Sequence, residues 1–388
     1  MSQQRIIALV DCDCFFVSCE QVDNPDLRGK AVCVTTGAGE RGIVVSRSPE
    51  AKALGIKMGE PLFKLHERGI EAVFIPARHH RYSEISAQVM QVLQNFSPDV
   101  EQVSVDEAYV DLTSLNKVYK KTYTEIIKDI RQQVWKQVEV PVSIGLSTSK
   151  TLAKLASDKA KKNNGIFAIP PHKILQIIGN SPIEEVCGVG RQNLKHLQYY
   201  GIFTIKDYVE QADAFVRKSL GINGLNLKYE LLGSCTSKVN NKPQAPKSIQ
   251  NTAMLGNFTQ DESVLRAALL GHIHHACRKL RKWNGFCRTA GVMLRTKDFR
   301  VMSARQKLPI CTNSETEIAK TALQLLHNIY RPHEIYRSCG ISLEEMDYDY
   351  QPSLFETSAP EQQDSKLSHA LDELEAKFGQ DIVKTGWI

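Results

Sequence analysis

The stretch that most constrains the fold is residues 101–112, Glu-Gln-Val-Ser-Val-Asp-Glu-Ala-Tyr-Val-Asp-Leu. Val103 and Val105 precede the acidic pair Asp106-Glu107, and Tyr109 and Leu112 follow it. β-Branched and aromatic residues at near-alternating positions predict two strands of a hairpin with the pair at or near the turn. Taken alone, such a pair is most often a solvated turn. The N-terminus shifts the balance, because Arg5-Ile-Ile-Ala-Leu-Val10 is an apolar run of strand length that ends on Asp11, with Asp13 two residues on. Two such strands side by side bring Asp11, Asp106 and Glu107 together. Hard divalent cations such as magnesium take oxygen ligands and keep waters and substrate phosphates as the rest. Three carboxylates around two cations are a donor set for in-line phosphoryl displacement.

A chain of 388 residues exceeds what one hydrophobic core serves, so about two to four domains are expected. No apolar run approaches the ~20 residues that span a bilayer, and no secretory signal is visible. A cytoplasmic protein with no membrane partner is the expectation. The ten cysteines are scattered, with no Cys-x-x-Cys pair. Free thiols buried as small hydrophobes are expected, with neither disulfide nor structural zinc. The net charge of +6 is unevenly spread: Arg266 to Lys307 holds eleven Lys or Arg against one acid, whereas Asp347 onward holds nine acids against three lysines. The basic stretch is an electrostatic footprint for nucleic acid; a merely solvated face is the bland alternative.

After Asp11 comes Cys12-Asp13-Cys14-Phe15-Phe16. Consecutive aromatics here either fill a core or floor a nucleotide sugar pocket, and amides of a strand-to-helix turn face a triphosphate. Residues 31–36 and 42–46 read as short strands around Gly37, Gly39 and Gly42. Ser48-Pro49 opens a helix over 48–54, with Arg47 and Lys52 as candidate phosphate contacts. Helices at 79–96 and about 122–137 and a strand at 141–147 follow. Beyond them Leu152, Leu155 and Ala156 form one apolar stripe, with Lys150, Lys154, Lys161 and Lys162 elsewhere around the helix. This order fits an α+β domain, a mixed sheet with helices on one face and a smaller unit inserted at roughly 23–79.

From 173 the pattern is helical and short. Gly188-Val189-Gly190 enters a helix at Arg191, in the form of a helix-hairpin-helix whose turn amides grip a DNA phosphate; a plain helix connection is the alternative. Ser234 to Pro246 is polar, contains two prolines and reads as an extended linker. Residues 247–346 alternate as βαββαβ and contain the basic stretch Arg266 to Lys307. The acidic tail carries Gln351-Pro-Ser-Leu354-Phe355, the form of a short peptide that docks in a partner's groove, and 366–378 reads as a small amphipathic helix.

Asp11-x-Asp13-x-Phe15-Phe16, Ser104-Val-Asp106-Glu107-Ala108 and Ser149-Lys150-Thr-Leu-Ala-Lys-Leu-Ala156 occur in the order and spacing of the Y-family (translesion) DNA polymerases. The chain resembles that family from Arg5 to about Gly379. Glu50 to Pro61 and Leu371 to Gly379 are most similar to its UmuC-like branch, the catalytic subunit of bacterial DNA polymerase V. The resemblance implies an α+β multidomain right hand: a ferredoxin-like palm (1–22 and 80–172), small fingers (23–79) and a helical thumb with the helix-hairpin-helix (173–234). A linker (235–246), a βαββαβ little finger (247–346) and an acidic tail with a clamp-binding motif (347–388) complete it.

The implied activity is template-directed dNTP addition to a primer with two Mg2+ ions, in DNA damage tolerance and the SOS response. Carried over by position, Asp11, Asp106 and Glu107 are the catalytic metal ligands, joined by the Cys12 carbonyl. Phe16 is the steric gate; Cys14, Phe15 and Phe16 offer amides to the triphosphate, which Ser46, Lys52 and Lys161 also contact. Gly188, Gly190 and Arg191 meet DNA, and Gln351, Leu354 and Phe355 meet the sliding clamp. A UmuD-like accessory protein is a further implied partner. Pro49 and Lys52 depart from the family, standing where many relatives carry tyrosine and arginine; lysine offers a point charge in place of a bidentate fork. Two rivals are a catalytically silent DNA-binding accessory and a nucleotide cyclase. The complete triad speaks against the first, and the helix-hairpin-helix and basic module against the second.

Overall fold

The computed structural model describes residues 4–37, 39, 42–350, 368, 370–374 and 377–378. The chain divides into two compact units, Met1–Pro243 and Gln244–Ile388.

The first unit is built on the strand Ile7–Cys12, all six residues of which are buried. A strand covered on both faces must be apolar nearly throughout, which explains the unbroken run before Asp11. Glu107–Asp111 and Val142–Ser147 flank it antiparallel, and Val100–Gln102 and Ile166–Ala168 form the edges of a five-stranded sheet. Ala8, Val10 and Cys12 pack with Tyr82, Ile85 and Val89 of the helix His79–Gln94 and with Ile126, Ile127 and Ile130 of Tyr123–Val138. The second of these helices starts at a capping box, Thr122 with Glu125.

Sequence pattern placed the helices on one face only; the structure covers both. Ile7 and Leu9, on the other face, pack on Ala153 of the helix Lys150–Ala160. That helix lies so close that a Cβ on Gly145 would sit 2.0 Å from the Ser157 amide nitrogen. The glycine is what allows the approach, and a polar-looking lysine-rich helix becomes a covering layer.

Residues between 30 and 77 form their own three-stranded sheet, in the order Val44–Arg47, Val32–Thr35, Val73–Pro76, over a small core of Cys33, Val44, Ala51, Ile56 and Leu65. Short helices between Ile174 and Leu231 enclose Ile178, Ile205, Tyr208 and Leu231. The polar stretch after them holds no helix or strand, yet it is bound to the first unit. Thr236 and Ser237 amides donate to Glu230 Oε1 at 2.8 and 3.2 Å, and the Asn240 amide donates to Glu101 Oε2 at 2.6 Å. Cys235 and Val239 pack against the Ile7–Leu9 face.

The second unit follows the βαββαβ order. Its antiparallel sheet runs Val301–Thr312, Phe286–Thr296, Tyr336–Asp347, Ile249–Thr259. The helices Glu262–Arg281 and Glu315–Ile329 share a core with Ala290, Val292, Leu294, Cys339 and Ile341. The alternate residues Gly291, Ser303, Arg305 and Ser342 line a groove on the sheet. Within the tail, residues 368, 370–374 and 377–378 are helical, and Asp372 takes both Nε and Nη2 of the buried Arg281 at 2.7 and 2.8 Å. Seven cysteines are buried, Cys12, Cys19 and Cys33 in the first unit and Cys277, Cys287, Cys311 and Cys339 in the second. Among the described residues no helix is long and apolar enough to cross a membrane.

Candidate active site

Antiparallel pairing sets the carboxylates. Asp11 and Glu107 are register partners across the two strands, and the Cys12 amide donates to the Asp106 carbonyl at 2.8 Å. Asp106 therefore ends the hairpin loop directly beside the end of the central strand. Ser104 fixes that loop: its hydroxyl donates to Asp106 Oδ1 and accepts from the amides of Asp106 and Glu107 at 3.2 and 3.0 Å. Asp13, two residues past Asp11, takes the Ser143 hydroxyl at 2.9 Å, and burial pushes its carboxyl above the usual range.

Lysines supply the counter-charge. Lys154 Nζ lies 3.0 Å from Asp11 Oδ2 and 2.5 Å from Glu107 Oε2, while Lys161 Nζ lies 2.9 Å from Asp11 Oδ1. Burial works against the Lys154 charge, but Glu107 and Asp11 more than offset it and raise its pKa. Sequence reading put Lys154 merely off the apolar stripe. The missed signal is spacing: Lys154 and Lys161 are seven apart, two turns along one helical face. Among the described residues no three His, Cys, Asp or Glu side chains are gathered closely enough to hold an ion unaided. The donor chemistry nonetheless fits hard cations, since Asp11, Asp106 and Glu107 are oxygen donors and lysine balances part of their negative charge.

If Lys154 holds the two carboxylates together, Lys154→Met leaves Glu107 without its lysine and Asp11 with Lys161 alone. Asp11 is buried and Glu107 partly exposed, so a loss of about 1–3 kcal/mol is expected in chelator-treated protein. Millimolar Mg2+ should raise the melting temperature of the variant more than that of the wild type. Equal shifts would remove the counter-ion role.

The turn after the central strand forms the next part. Cys14 adopts φ 48°, ψ 42°, in the left-handed region, and the helix Phe15–Asp23 begins without a side-chain cap. The amides of Cys14, Phe15 and Phe16 find no protein acceptor among the described residues. Such a helix start is suited to an anion. Ser46 Oγ donates to the Cys14 carbonyl at 3.3 Å and accepts from the Val17 amide at 3.4 Å, so it ties the inserted sheet to this turn. Lys161, Lys52 and Arg47 all pull down the Cys14 thiol that burial and Asp13 push up, which puts these cations around the turn. Lys52 is exposed on the helix Pro49–Ala53, and Pro49 occupies its first position. Phe15 is buried at 4% exposure, whereas Phe16 is half-buried and stacks on Tyr82 with ring centres 4.5 Å apart.

Gly188 has φ 99°, which a side chain would strain, and Gly190 caps the helix Arg191–Tyr199. A Cβ on either would meet nothing within 4 Å, so packing does not demand a glycine at 190, and an outside group can approach the backbone there. Arg191 is exposed. Gln351, Leu354 and Phe355 lie outside the described residues.

Comparison with known proteins gives this geometry its relatives. Residues 10–158 match the impB/mucB/samB family, and residues 246–364 match the impB/mucB/samB family C-terminal domain. Protein ImpB of Salmonella typhimurium is 31% identical over 95% of this chain and 90% of its own length. Protein UmuC of Salmonella typhimurium (strain LT2) is 32% identical over 97% and 92%, and DNA polymerase IV of Desulfatibacillum aliphaticivorans 30% over 98% and 96%. Among solved structures, the Y-family DNA polymerase chimera Dbh-Dpo4(243-245)-Dbh superposes with a TM-score of 0.75 at 26% identity, covering 88% of this chain and 98% of that one. The insertion ternary complex of Dbh DNA polymerase gives 0.59 at 26% identity, covering 87% and 98%. The chain thus belongs to the impB/mucB/samB family and is a UmuC-like member of the Y-family DNA polymerases.

Proposed function

We propose that this polymerase adds dNTPs to a primer 3′ end on damaged template DNA by two-metal nucleotidyl transfer, with magnesium, in damage tolerance and the SOS response. The observation that carries the reading is the pairing of Asp11 with Glu107 beside the Asp106–Cys12 backbone bond. Asp11, Asp106, Glu107 and the Cys12 carbonyl would hold the cations. Bound there, they would stabilise charge on the attacking and leaving oxygens of an in-line displacement.

The chain's own groups do the rest. Amides of Cys14, Phe15 and Phe16, with Lys161 and Lys52, bind the triphosphate; Ser46 holds the turn that presents those amides. The Phe16 ring stands against a 2′-hydroxyl. The first unit then comprises palm, fingers and thumb, with Gly188, Gly190 and Arg191 holding a DNA phosphate, and residues 247–346 of the second unit are the little finger, gripping the duplex through the basic stretch Arg266 to Lys307.

The deciding experiment is primer extension by the purified chain with Mg2+ on undamaged and abasic templates. Extension on both supports the reading. Failure that persists after a sliding clamp and a UmuD-like partner are added back removes it. In the same assay, truncating Leu354 and Phe355 to Ala should spare synthesis on short templates and abolish stimulation by the clamp. Surviving stimulation would mean the motif does not dock.

A further inference from the structure

We propose that Glu20 and Arg78 are positioning residues for the choice of sugar, acting through Tyr82 on the Phe16 ring. The proposal rests on Phe16 being the wall against the 2′-hydroxyl.

The Phe16 and Tyr82 rings lie 4.5 Å apart and 17° from parallel. His79 meets them edge-on at 5.7 and 6.0 Å. Tyr82 is 1% exposed, and its hydroxyl donates to Glu20 Oε1 at 2.6 Å. Glu20 is itself buried, at 5% exposure, and Arg78 grips it with Nε on Oε1 at 3.0 Å and Nη2 on Oε2 at 2.6 Å. Arg78 Nη2 also reaches Asp23 at 2.7 Å, and Arg81 holds the same carboxylate at 2.8 Å.

A phenylalanine at 82 would fill this core space without needing a buried carboxylate. A carboxylate removed from water is costly unless fully bonded, so the polar chain calls for a use beyond packing. What it supplies is direction: a bidentate guanidinium–carboxylate pair fixes orientation as well as distance. Glu20 then fixes the Tyr82 hydroxyl, and the Tyr82 ring leaves Phe16 one face to lie on. A wall that rejects a hydroxyl group has to be held to a fraction of an ångström, and Phe16 is only half-buried.

The placement adds to this. Glu20 and Asp23 lie on the helix that leads into the inserted three-stranded sheet, and Arg78 caps the helix that leads out of it. The ion pairs therefore close the two ends of the insertion on each other at the point where the ring is held.

The test is single-nucleotide incorporation by the full chain with Mg2+, comparing kcat/KM for a dNTP and its matching rNTP, with Phe16→Ala as the control for the wall itself. Tyr82→Leu should lower the dNTP:rNTP ratio by roughly tenfold, the scale of one aromatic pair, by raising rNTP use rather than lowering dNTP use. Glu20→Gln should lower it less, in the same direction, and Tyr82→Phe should fall between. The two milder variants keep the volume of the side chain, so a failure of Tyr82→Leu to fold would leave the test intact. A ratio unchanged in Tyr82 and Glu20 variants while Phe16→Ala lowers it, or an equal loss with both nucleotides, overturns the proposal and leaves the wall standing. No change in Phe16→Ala itself would remove the wall and this proposal with it.

Discussion

Asp106→Ala should lower primer extension by at least about a thousandfold while leaving DNA affinity nearly unchanged. A factor of that size corresponds to about 4 kcal/mol of transition-state stabilisation, within the range of losing a group that organises charge at the reacting phosphate. Affinity should persist because Asp106 is held by its own loop, through Ser104, and carries no part of the sheet's core. Its backbone bond to Cys12 survives the change, since the carbonyl rather than the side chain makes it. Extension and fluorescence anisotropy on one primer–template pair check both halves. Extension at the wild-type rate would remove Asp106 from the site.

The largest effect on stability is expected far from any charged group. Gly145→Val would place its Cβ 2.0 Å from the Ser157 nitrogen and 2.2 Å from the Ala153 carbonyl oxygen. Both are backbone atoms of the helix Lys150–Ala160, so neither can turn aside. The helix must lift from the sheet, at a cost of roughly 3 kcal/mol or more by the scale of overpacked cores. For a unit of this size that is a fall in melting temperature of roughly 6–12 °C. Lys154 and Lys161 would leave Asp11 with the helix, so the variant should also lose extension at temperatures where it remains folded. A melting curve like that of the wild type would show that the helix has room it is not seen to have.

Much of this was legible in the residues because local chemistry decides it. The run Ile7–Val10 ending on Asp11 reads as a buried strand, though nothing in it says that both faces are covered. The acidic pair after Val103 and Val105 fell at the hairpin turn, with Glu107 opening the next strand. The βαββαβ order from 247 onward emerged with its elements in place. Long-range register was not legible: nothing local pairs Asp11 with Glu107 or sets Lys154 between them. Helix Lys150–Ala160 was readable as a helix but not as the second face of the sheet, because that depends on a glycine in a different element. Glu20 carries no local signal for the same reason. Its partners Arg78 and Tyr82 are about sixty residues away, beyond the reach of any helical or strand period.

The buried thiols have a practical consequence. Alkylation needs a thiolate that reagent can reach, and burial denies both, pushing Cys33 and Cys339 up to about 11 and Cys19 and Cys287 up to about 12. Cys14 and Cys187 are exposed and set the baseline for labelling of the intact fold. Each unit thus carries its own clock: modification of Cys12 or Cys19 times the opening of the first unit's main core, and modification of Cys277 or Cys339 times the opening of the other. Mass spectrometry of a single labelled sample can then rank the two units by how often each comes apart.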